Sequence, residues 1–258
     1  MNQLKKIIHF NVIPFIGRVC LSNNKYCNVI YYHDIVKGEG FSYMRANIDV
    51  FKSHMDFIAS YGYKTLKFDD LNSDDNVKFG KKKVIIAFDD GWLSNYSEIF
   101  EYMKSKNIKY NIFLAVGEIG KNKDYITWDM AREMHESGIV GFGAHTYSHV
   151  SMEDLSKVDY NLEVNTANEI IMKELGVQPF DFCYPFGYFS DESNEYLAQS
   201  SSYRRLYTSE WMYSYKISNT IIFGRNKIGN DYLVNFFEKV VNGYYNVHTM
   251  LHRHIKKL

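Results

Sequence analysis

Two adjacent carboxylates follow an apolar run in the sequence VIIAFDDGW, residues 84–92. The run is rich in β-branched residues and predicts a buried strand, with Asp89 and Asp90 at its carboxyl end. Carboxylates beside a packed core are costly unless they reach solvent or contact a positive group. Neighbouring side chains on an extended chain point to opposite sides, and Gly91 permits a tight turn, so we expect the two aspartates to have different roles.

The sequence GAHTYSH, residues 143–149, offers a partner for these carboxylates. His145 and His149 are four residues apart, a spacing that turns both imidazoles the same way in a helix or a turn. Two histidines and one carboxylate are a common zinc set that leaves one coordination position for water. Taken alone, the histidines also suit a capping role at the following helix, but beside a strand-end aspartate pair they indicate a metal site. One aspartate would then bind the metal, and the other would accept a proton from the bound water.

Two further strand ends carry polar or turn-forming residues. In CYPFGYF, residues 183–189, the backbone N–H of Phe186 is a candidate oxyanion donor, although a purely structural turn explains these residues equally well. In VIYYHDI, residues 29–35, His33 ends an apolar strand. A single histidine there is often structural, but its convergence with the other strand ends favours a functional role.

The elements that must position these residues alternate between strands and helices. One predicted helix has Ile48, Phe51, Met55 and Ile58 on one face, and helices over 128–137 and 152–175 each end at a glycine, Gly138 and Gly176. Alternation over 258 residues predicts one α/β domain, either a parallel barrel or a doubly wound sheet, with chemistry at the carboxyl ends of the strands. The predicted strands are 29–32, 64–66, 84–88, 110–116, 139–142, 182–184, 206–208 and 220–223.

The overall composition excludes some partners and favours one compartment. The chain has 30 basic and 30 acidic residues, so no polyanionic partner such as nucleic acid is indicated. Cys20, Cys27 and Cys183 form no CxxC pair, and their odd number suits a reducing compartment better than a disulfide framework. We therefore expect a cytoplasmic protein, either free in the cytoplasm or bound peripherally to the inner membrane.

The first 27 residues form a separate predicted segment ahead of a catalytic domain over 28–258, which ends in a basic helix. Residues 1–20 contain two lysines and then an apolar run that is too short and too polar to span a bilayer. An amphipathic helix is expected there. Its apolar face would rest on the domain or on a membrane surface.

In chain order, the motifs YYHDI, AFDDG, HTYSH and CYPFG resemble those of the polysaccharide deacetylases with NodB homology, carbohydrate esterase family 4, in the branch that carries a YH motif. The resemblance extends over residues 28–225. It implies a distorted, incomplete (β/α) barrel of the α/β class, a divalent metal that is usually zinc, and hydrolysis of an acetyl group from an acetylated sugar.

The resemblance also assigns roles by position. It implies that Asp89 is the catalytic base, that the Phe186 N–H is the oxyanion donor and that His33 is the general acid, while the metal ligands are Asp90, His145 and His149.

Two positions depart from the pattern of the family. Cys183 stands where many members have an arginine, so we predict that Arg225, in FGRNKI, orients Asp89 instead. A late histidine acts as the acid in other branches, and His252 in the basic tail is a weaker alternative to His33.

The expected function is that of a metal-dependent hydrolase that removes an acetyl group from an N-acetylated, or O-acetylated, sugar of a surface glycan or its precursor. Two alternatives remain open from the sequence. One is a hydrolase of another acyl group on the same scaffold, and the other is a non-catalytic carbohydrate-binding relative, which would have no need of a free carboxylate beside the metal.

Overall fold

The computed structural model describes most of the chain. The predicted carboxyl-terminal basic helix and His252 lie outside the described residues. The described residues are 8–20, 26–38, 42, 44–72, 78, 80, 82–153, 158–200, 202–212, 214–230 and 234–247.

The strands of the main sheet are almost all parallel. Their order is β10-β11-β9-β8-β7-β6-β5-β1-β12, and β4 pairs with the first half of β5. Only the pairing of β10 with β11 is antiparallel among the described strands of this sheet. A separate small sheet pairs β2 with β3. The strands are β1 Asn28–Tyr32, β2 Asp34–Val36, β3 Arg45–Asn47, β4 Lys64–Leu66, β5 Lys83–Phe88, β6 Tyr110–Leu114, β7 Val140–Ala144, β8 Asp181–Cys183, β9 Arg205–Tyr207, β10 Tyr215–Ile217, β11 Thr220–Phe223 and β12 Asn226–Lys227.

Helices cover the outside of the curled sheet. The π-helical turns Ile8–Val12 and Asn161–Thr166 precede the first and sixth of them, and short 3₁₀ segments lie at Phe68–Asn72 and Pro185–Gly187. The α-helices are α1 Ile13–Val19, α2 Ile48–Ser60, α3 Ser94–Ser97, α4 Phe100–Ser105, α5 Trp128–Glu136, α6 Ala167–Leu175, α7 Asp191–Ser200 and α8 Val234–Val241.

The sheet separates two apolar layers, as the alternation along β5 shows. Ile86 and Phe88 belong to the outer layer, between the sheet and the helices. Ile85 and Ala87 face inward with Phe113, in a smaller cluster that fills the concave side of the sheet. Because side chains on a strand alternate, the inward face of β5 continues directly to Asp89. The result is the distorted, incomplete barrel that the motifs led us to expect.

The eight predicted strands are all present, with bounds that differ by two residues or fewer. The strands β2, β3, β10 and β12 were not predicted; β3 and β12, for example, have the sequences RAN and NK, which lack the β-branched and aromatic residues typical of a strand. Positive φ angles of 77° at Gly138 and 69° at Gly176 confirm both predicted helix ends.

The helix predicted over 152–175 is too long. Met152 pairs with Phe189 in an isolated bridge, and the described helical residues begin at Tyr160. The carboxylate of Asp159 accepts a hydrogen bond from the Leu162 N–H, and this interaction starts the helix there.

Candidate active site

The polar residues singled out in the sequence meet at the carboxyl edge of the sheet. Along β1 the inward residues Val29 and Tyr31 are followed two positions later by His33, just as Ile85 and Ala87 are followed by Asp89. Since β1 and β5 are parallel neighbours with Tyr32 opposite Phe88, the two polar side chains arrive at the same level.

Arg225 holds Asp89 through two hydrogen bonds. Its Nη1 and Nη2 donate to the two carboxylate oxygens at 2.7 and 2.8 Å, and its Nε donates to the Thr208 carbonyl at 2.7 Å. The guanidinium is fully buried and lies 4.0 Å from the centre of the Tyr31 ring. Burial works to raise the pKa of Asp89, but the charge and hydrogen bonds of Arg225 outweigh it and hold the pKa below its usual value. Asp89 is therefore a fixed carboxylate, and the arginine expected from the sequence does contact it.

The chain turns sharply at Asp90. This residue has a φ of 74°, in the left-handed region, and Gly91 follows with a φ of 91°. A φ of this size strains any residue that has a Cβ, and a Cβ added to Gly91 would also lie 2.9 Å from Ile119 Cδ1, so a larger residue is disfavoured here. The two carboxylates diverge as predicted, but a left-handed turn directs them rather than the alternation of an extended strand.

Asp90, His145 and His149 come together beyond this turn. The Oδ1 atom of Asp90 lies 3.5 Å from His145 Nε2 and 3.2 Å from His149 Nε2. The three ligand atoms lie within 4.8 Å of one another, close enough to share one ion. Of the two conformations considered, a helix or a turn, the structure excludes the helix: a loop brings the histidines together, and both Thr146 and His149 have φ angles near 60°.

Neighbouring groups leave the required atoms free for a metal. His145 Nδ1 lies 2.7 Å from the Cys183 carbonyl oxygen, which can only accept, so Nδ1 carries the hydrogen and Nε2 keeps its lone pair. The Trp92 Nε1–H donates to Asp90 Oδ2 at 2.9 Å. Asp90 Oδ1 is buried without a hydrogen-bond partner among the described residues, and it faces the two imidazoles. This donor set fits a divalent metal.

The protonation states also suit metal binding. Burial works to raise the pKa of Asp90, but the His149 and His145 imidazoles beside its carboxylate outweigh burial, so the pKa lies below its usual value. Burial lowers the pKa of His145, which keeps the imidazole neutral. A charged carboxylate and a neutral imidazole are the forms that bind a metal.

A second combination, Asp89 with His145 and Cys183, also lies within reach of one ion. It is the poorer site for two reasons. Both oxygens of Asp89 already accept from Arg225. Burial raises the pKa of the Cys183 thiol well above its usual value, so the thiolate that a metal needs is disfavoured.

A model of the family described as "Polysaccharide deacetylase" matches residues 76–204, half of the chain. The chain belongs to the polysaccharide deacetylase family. It is 27% identical over 184 residues to YxkH of Bacillus subtilis (strain 168), with 70% of this chain and 64% of YxkH covered. It is 26% identical over 158 residues to the poly-β-1,6-N-acetyl-D-glucosamine N-deacetylase of Staphylococcus aureus (strain MRSA252), with 55% of this chain and 53% of that protein covered. The chain thus spans between about half and two thirds of the length of these relatives.

The fold of the family is present over most of the described chain. The Streptococcus pyogenes deacetylase PplD, solved in complex with acetate, superimposes with a TM-score of 0.76. The alignment covers 84% of this chain and 99% of PplD at 19% sequence identity.

In this chain, His33 lies on the Asp89 side of the site. Its Nε2 is 3.7 Å from Asp89 Oδ2, and its buried Nδ1 has no hydrogen-bond partner among the residues described. Burial lowers the pKa of His33 to about 4, although the carboxylate of Asp89 acts in the opposite direction. The imidazole is therefore neutral at pH 7.

This low pKa predicts an acid-sensitive fold. Between pH 6.5 and about 4 the unfolded chain binds a proton at His33 and the folded chain does not, so stability falls as the pH falls through this window. The full effect of a shift of this size is on the order of 3 kcal/mol. Urea unfolding of the chelator-treated protein at several pH values should show this loss in the wild type and a smaller one in His33→Asn. Equal pH dependence in the two proteins would contradict the assignment.

Phe186 lies beside the histidine loop. It has a φ of 61°, and its exposed ring packs edge-on against the His149 ring, with 4.7 Å between the ring centres. The main chain of the CYPFG turn therefore lies next to His149. The role of the Phe186 N–H as an oxyanion donor stays a prediction.

The sequence analysis did not identify three groups that orient the residues of the site. Trp92 directly follows the Asp-Asp-Gly sequence, but nothing in the sequence indicated that its indole N–H orients Asp90. The carbonyls of Cys183 and Thr208 orient His145 and Arg225, and main-chain acceptors carry no sequence signal. The Cys183 position was noticeable only as a departure from the family pattern.

Proposed function

We propose that this chain is a metal-dependent hydrolase that removes acetyl groups from an N-acetylated surface glycan or its precursor. One observation carries the proposal: Asp89, a carboxylate that Arg225 holds in place and that is not one of the metal ligands, lies beside the set of three ligands. A binding protein needs no such carboxylate. Membership of the polysaccharide deacetylase family supports the reaction class.

Asp90 Oδ1, His145 Nε2 and His149 Nε2 would hold the metal. One carboxylate and two imidazoles are typical of zinc sites with an open position, so we assign zinc as the metal. When bound, the metal lowers the pKa of a water molecule and polarises the acetyl carbonyl.

Asp89 would take the proton of the attacking water. The two hydrogen bonds from Arg225 keep its carboxylate charged and fix its orientation, which removes the entropic cost of positioning a base. The Phe186 N–H would donate a hydrogen bond to the oxyanion that forms as the carbonyl is attacked.

His33 would carry the proton to the leaving nitrogen. A neutral His33 accepts a proton more readily than it donates one, and its Nε2 stands 3.7 Å from Asp89 Oδ2, slightly beyond hydrogen-bond distance. The proton taken by Asp89 therefore has a short route to His33 and on to the departing amine. Since an amine leaves poorly without a proton, an acid at this position serves amide hydrolysis.

Replacing His33 by alanine should lower kcat by about 10²–10⁴-fold, the usual contribution of a general acid. Metal content should not change, because His33 is not among the three ligands. Steady-state rates and elemental analysis of the same sample measure both quantities. A His33→Ala variant with wild-type turnover would remove this residue from the reaction.

The relatives support a proposal for the substrate class. The Staphylococcus aureus relative is named for poly-β-1,6-N-acetyl-D-glucosamine, and we propose a polymer or oligomer of N-acetylated amino sugars for this chain. The test is acetate release by the zinc-loaded protein from N-acetylglucosamine oligomers and from O-acetylated sugars, with Asp90→Asn as the control. Release from the N-acetylated oligomers alone is expected. Release only from O-acetyl esters would make the protein an esterase, and sugar binding without any acetate would make it a non-catalytic relative.

A further inference from the structure

Charge is unevenly distributed along the chain. Residues 1–33 contain four basic residues and no acidic one, and residues 239–258 again contain four basic residues and no acidic one. Because the whole chain has 30 basic and 30 acidic residues, residues 34–238 carry a net charge of −8. The basic residues of the two terminal segments are Lys5, Lys6, Arg18, Lys25, Lys239, Arg253, Lys256 and Lys257.

Residues 8–20 and 239–247, the described parts of the first helix and of the second basic segment, pack together in the fold. Helix α1 packs its buried face, which includes Ile13 and Gly17, against the domain. A Cβ added to Gly17 would lie only 1.7 Å from the Tyr244 carbonyl oxygen, so the helix lies directly on the backbone that follows α8. The described parts of both basic segments therefore lie in one region of the molecule.

The opposite face of α1 is apolar and exposed. Phe15 and Val19 are each 69% exposed, more than any other large apolar side chain described, and Val12 is 41% exposed. Positions 12, 15 and 19 fall on one side of a helix, and Arg18 borders them. We call these three residues the α1 stripe.

We propose that the α1 stripe docks on the surface of a lipid bilayer that contains anionic lipids. Burial of the stripe in the boundary between headgroups and acyl chains would remove its apolar area from water, and the basic segments would contact the negative headgroups. Docking is peripheral, since none of the described helices has the length and apolar character needed to cross a bilayer. A second copy of the chain is a poorer partner for the stripe, because the positively charged segments of the two copies would repel each other.

This orientation leaves the active site accessible. Asn28, at the amino-terminal end of β1, donates through Nδ2 to the carbonyls of Val240 and Val241 at the end of α8. Asp89 follows the carboxyl end of the neighbouring strand β5. The region beside α1 is thus at the opposite end of the strands from the metal ligands. The proposal does not depend on the deacetylase reaction.

Vesicle co-sedimentation of the full chain tests the docking. The wild type should bind vesicles of phosphatidylcholine and phosphatidylglycerol more tightly than vesicles of phosphatidylcholine alone. Raising the salt from about 0.1 M to about 1 M should weaken binding, because the screening length falls from about 10 Å to about 3 Å. Phe15→Glu/Val19→Glu should reduce binding by at least about tenfold, since two apolar side chains are lost from the interface.

The control is Met172→Glu, which adds one negative charge at another exposed apolar position, 47% exposed on α6, and should leave binding unchanged. Phe15→Ser/Val19→Ser repeats the test without added negative charge, and thermal unfolding and metal content verify folding. The proposal is overturned if the wild type does not bind anionic vesicles, or if Met172→Glu lowers binding as much as the double variant does. A wild-type dimer that the double variant abolishes, without vesicle binding, would assign the stripe to a second copy instead.

Discussion

Replacing Asp90 by asparagine is expected to abolish tight metal binding and to lower acetate release by more than about 10³-fold, the scale at which removal of a single catalytic group acts. The variant loses the negative ligand whose Oδ1 faces both imidazoles. Its fold should survive, because Asp90 has a φ of 74° and asparagine is among the few residues that adopt the left-handed region readily. Elemental analysis after dialysis against a metal buffer, together with acetate release, measures the two effects.

A matched control distinguishes the loss of the metal ligand Asp90 from the loss of the residue that orients it. Trp92→Phe removes only the hydrogen bond to Asp90 Oδ2 and should weaken metal binding by about 10–100-fold, the usual range for a residue that orients a ligand. If Asp90→Asn retained one metal per chain at wild-type affinity, the Asp90, His145 and His149 set would not be the metal site.

Much of the site follows from local patterns. Apolar strands that end in polar residues identify Asp89 and His33, and the parallel arrangement of strands explains why these ends meet. The spacing of the two histidines was informative although it left the conformation between them open, a helix or a turn, and the structure has a loop there with φ angles near 60° at Thr146 and His149. Residue types at fixed separations can thus identify a site before the local conformation is known.

What the sequence could not show are contacts that depend on distant strands. Asp89 and Arg225 are 136 residues apart, and only the curling of the sheet brings them together. The expectation that they pair came from the missing arginine at Cys183, not from a local pattern. The left-handed turn at Asp90 also could not be predicted, because an aspartate before a glycine is compatible with several turn conformations.

The buried pair also links catalysis to stability. Arg225 has no exposed surface, and the groups that accept from its hydrogen-bonding nitrogens are Asp89 and the Thr208 carbonyl. Removing one member of such a pair leaves the other charge buried without compensation, which costs far more than the pair itself contributes. A loss of activity at Asp89 must therefore be separated from a loss of folding.

Replacing Asp89 by asparagine should leave metal content unchanged and reduce kcat by about 10²–10⁴-fold, because the amide cannot accept the proton of the attacking water. The same change should destabilise the fold by about 3–5 kcal/mol, since the Arg225 guanidinium loses its counter-charge. Urea unfolding gives the second quantity, and initial rates at a temperature where the variant is folded give the first.

The double variant Asp89→Asn/Arg225→Met distinguishes the two effects. It removes the unpaired charge, so much of the lost stability should return, whereas acetate release should stay as low as in Asp89→Asn. Recovery of activity together with stability would mean that Asp89 acts only as the partner of Arg225, and the base would have to be sought elsewhere. Persistent inactivity in a stable protein that still holds its metal would leave proton transfer as the function that Asp89 supplies.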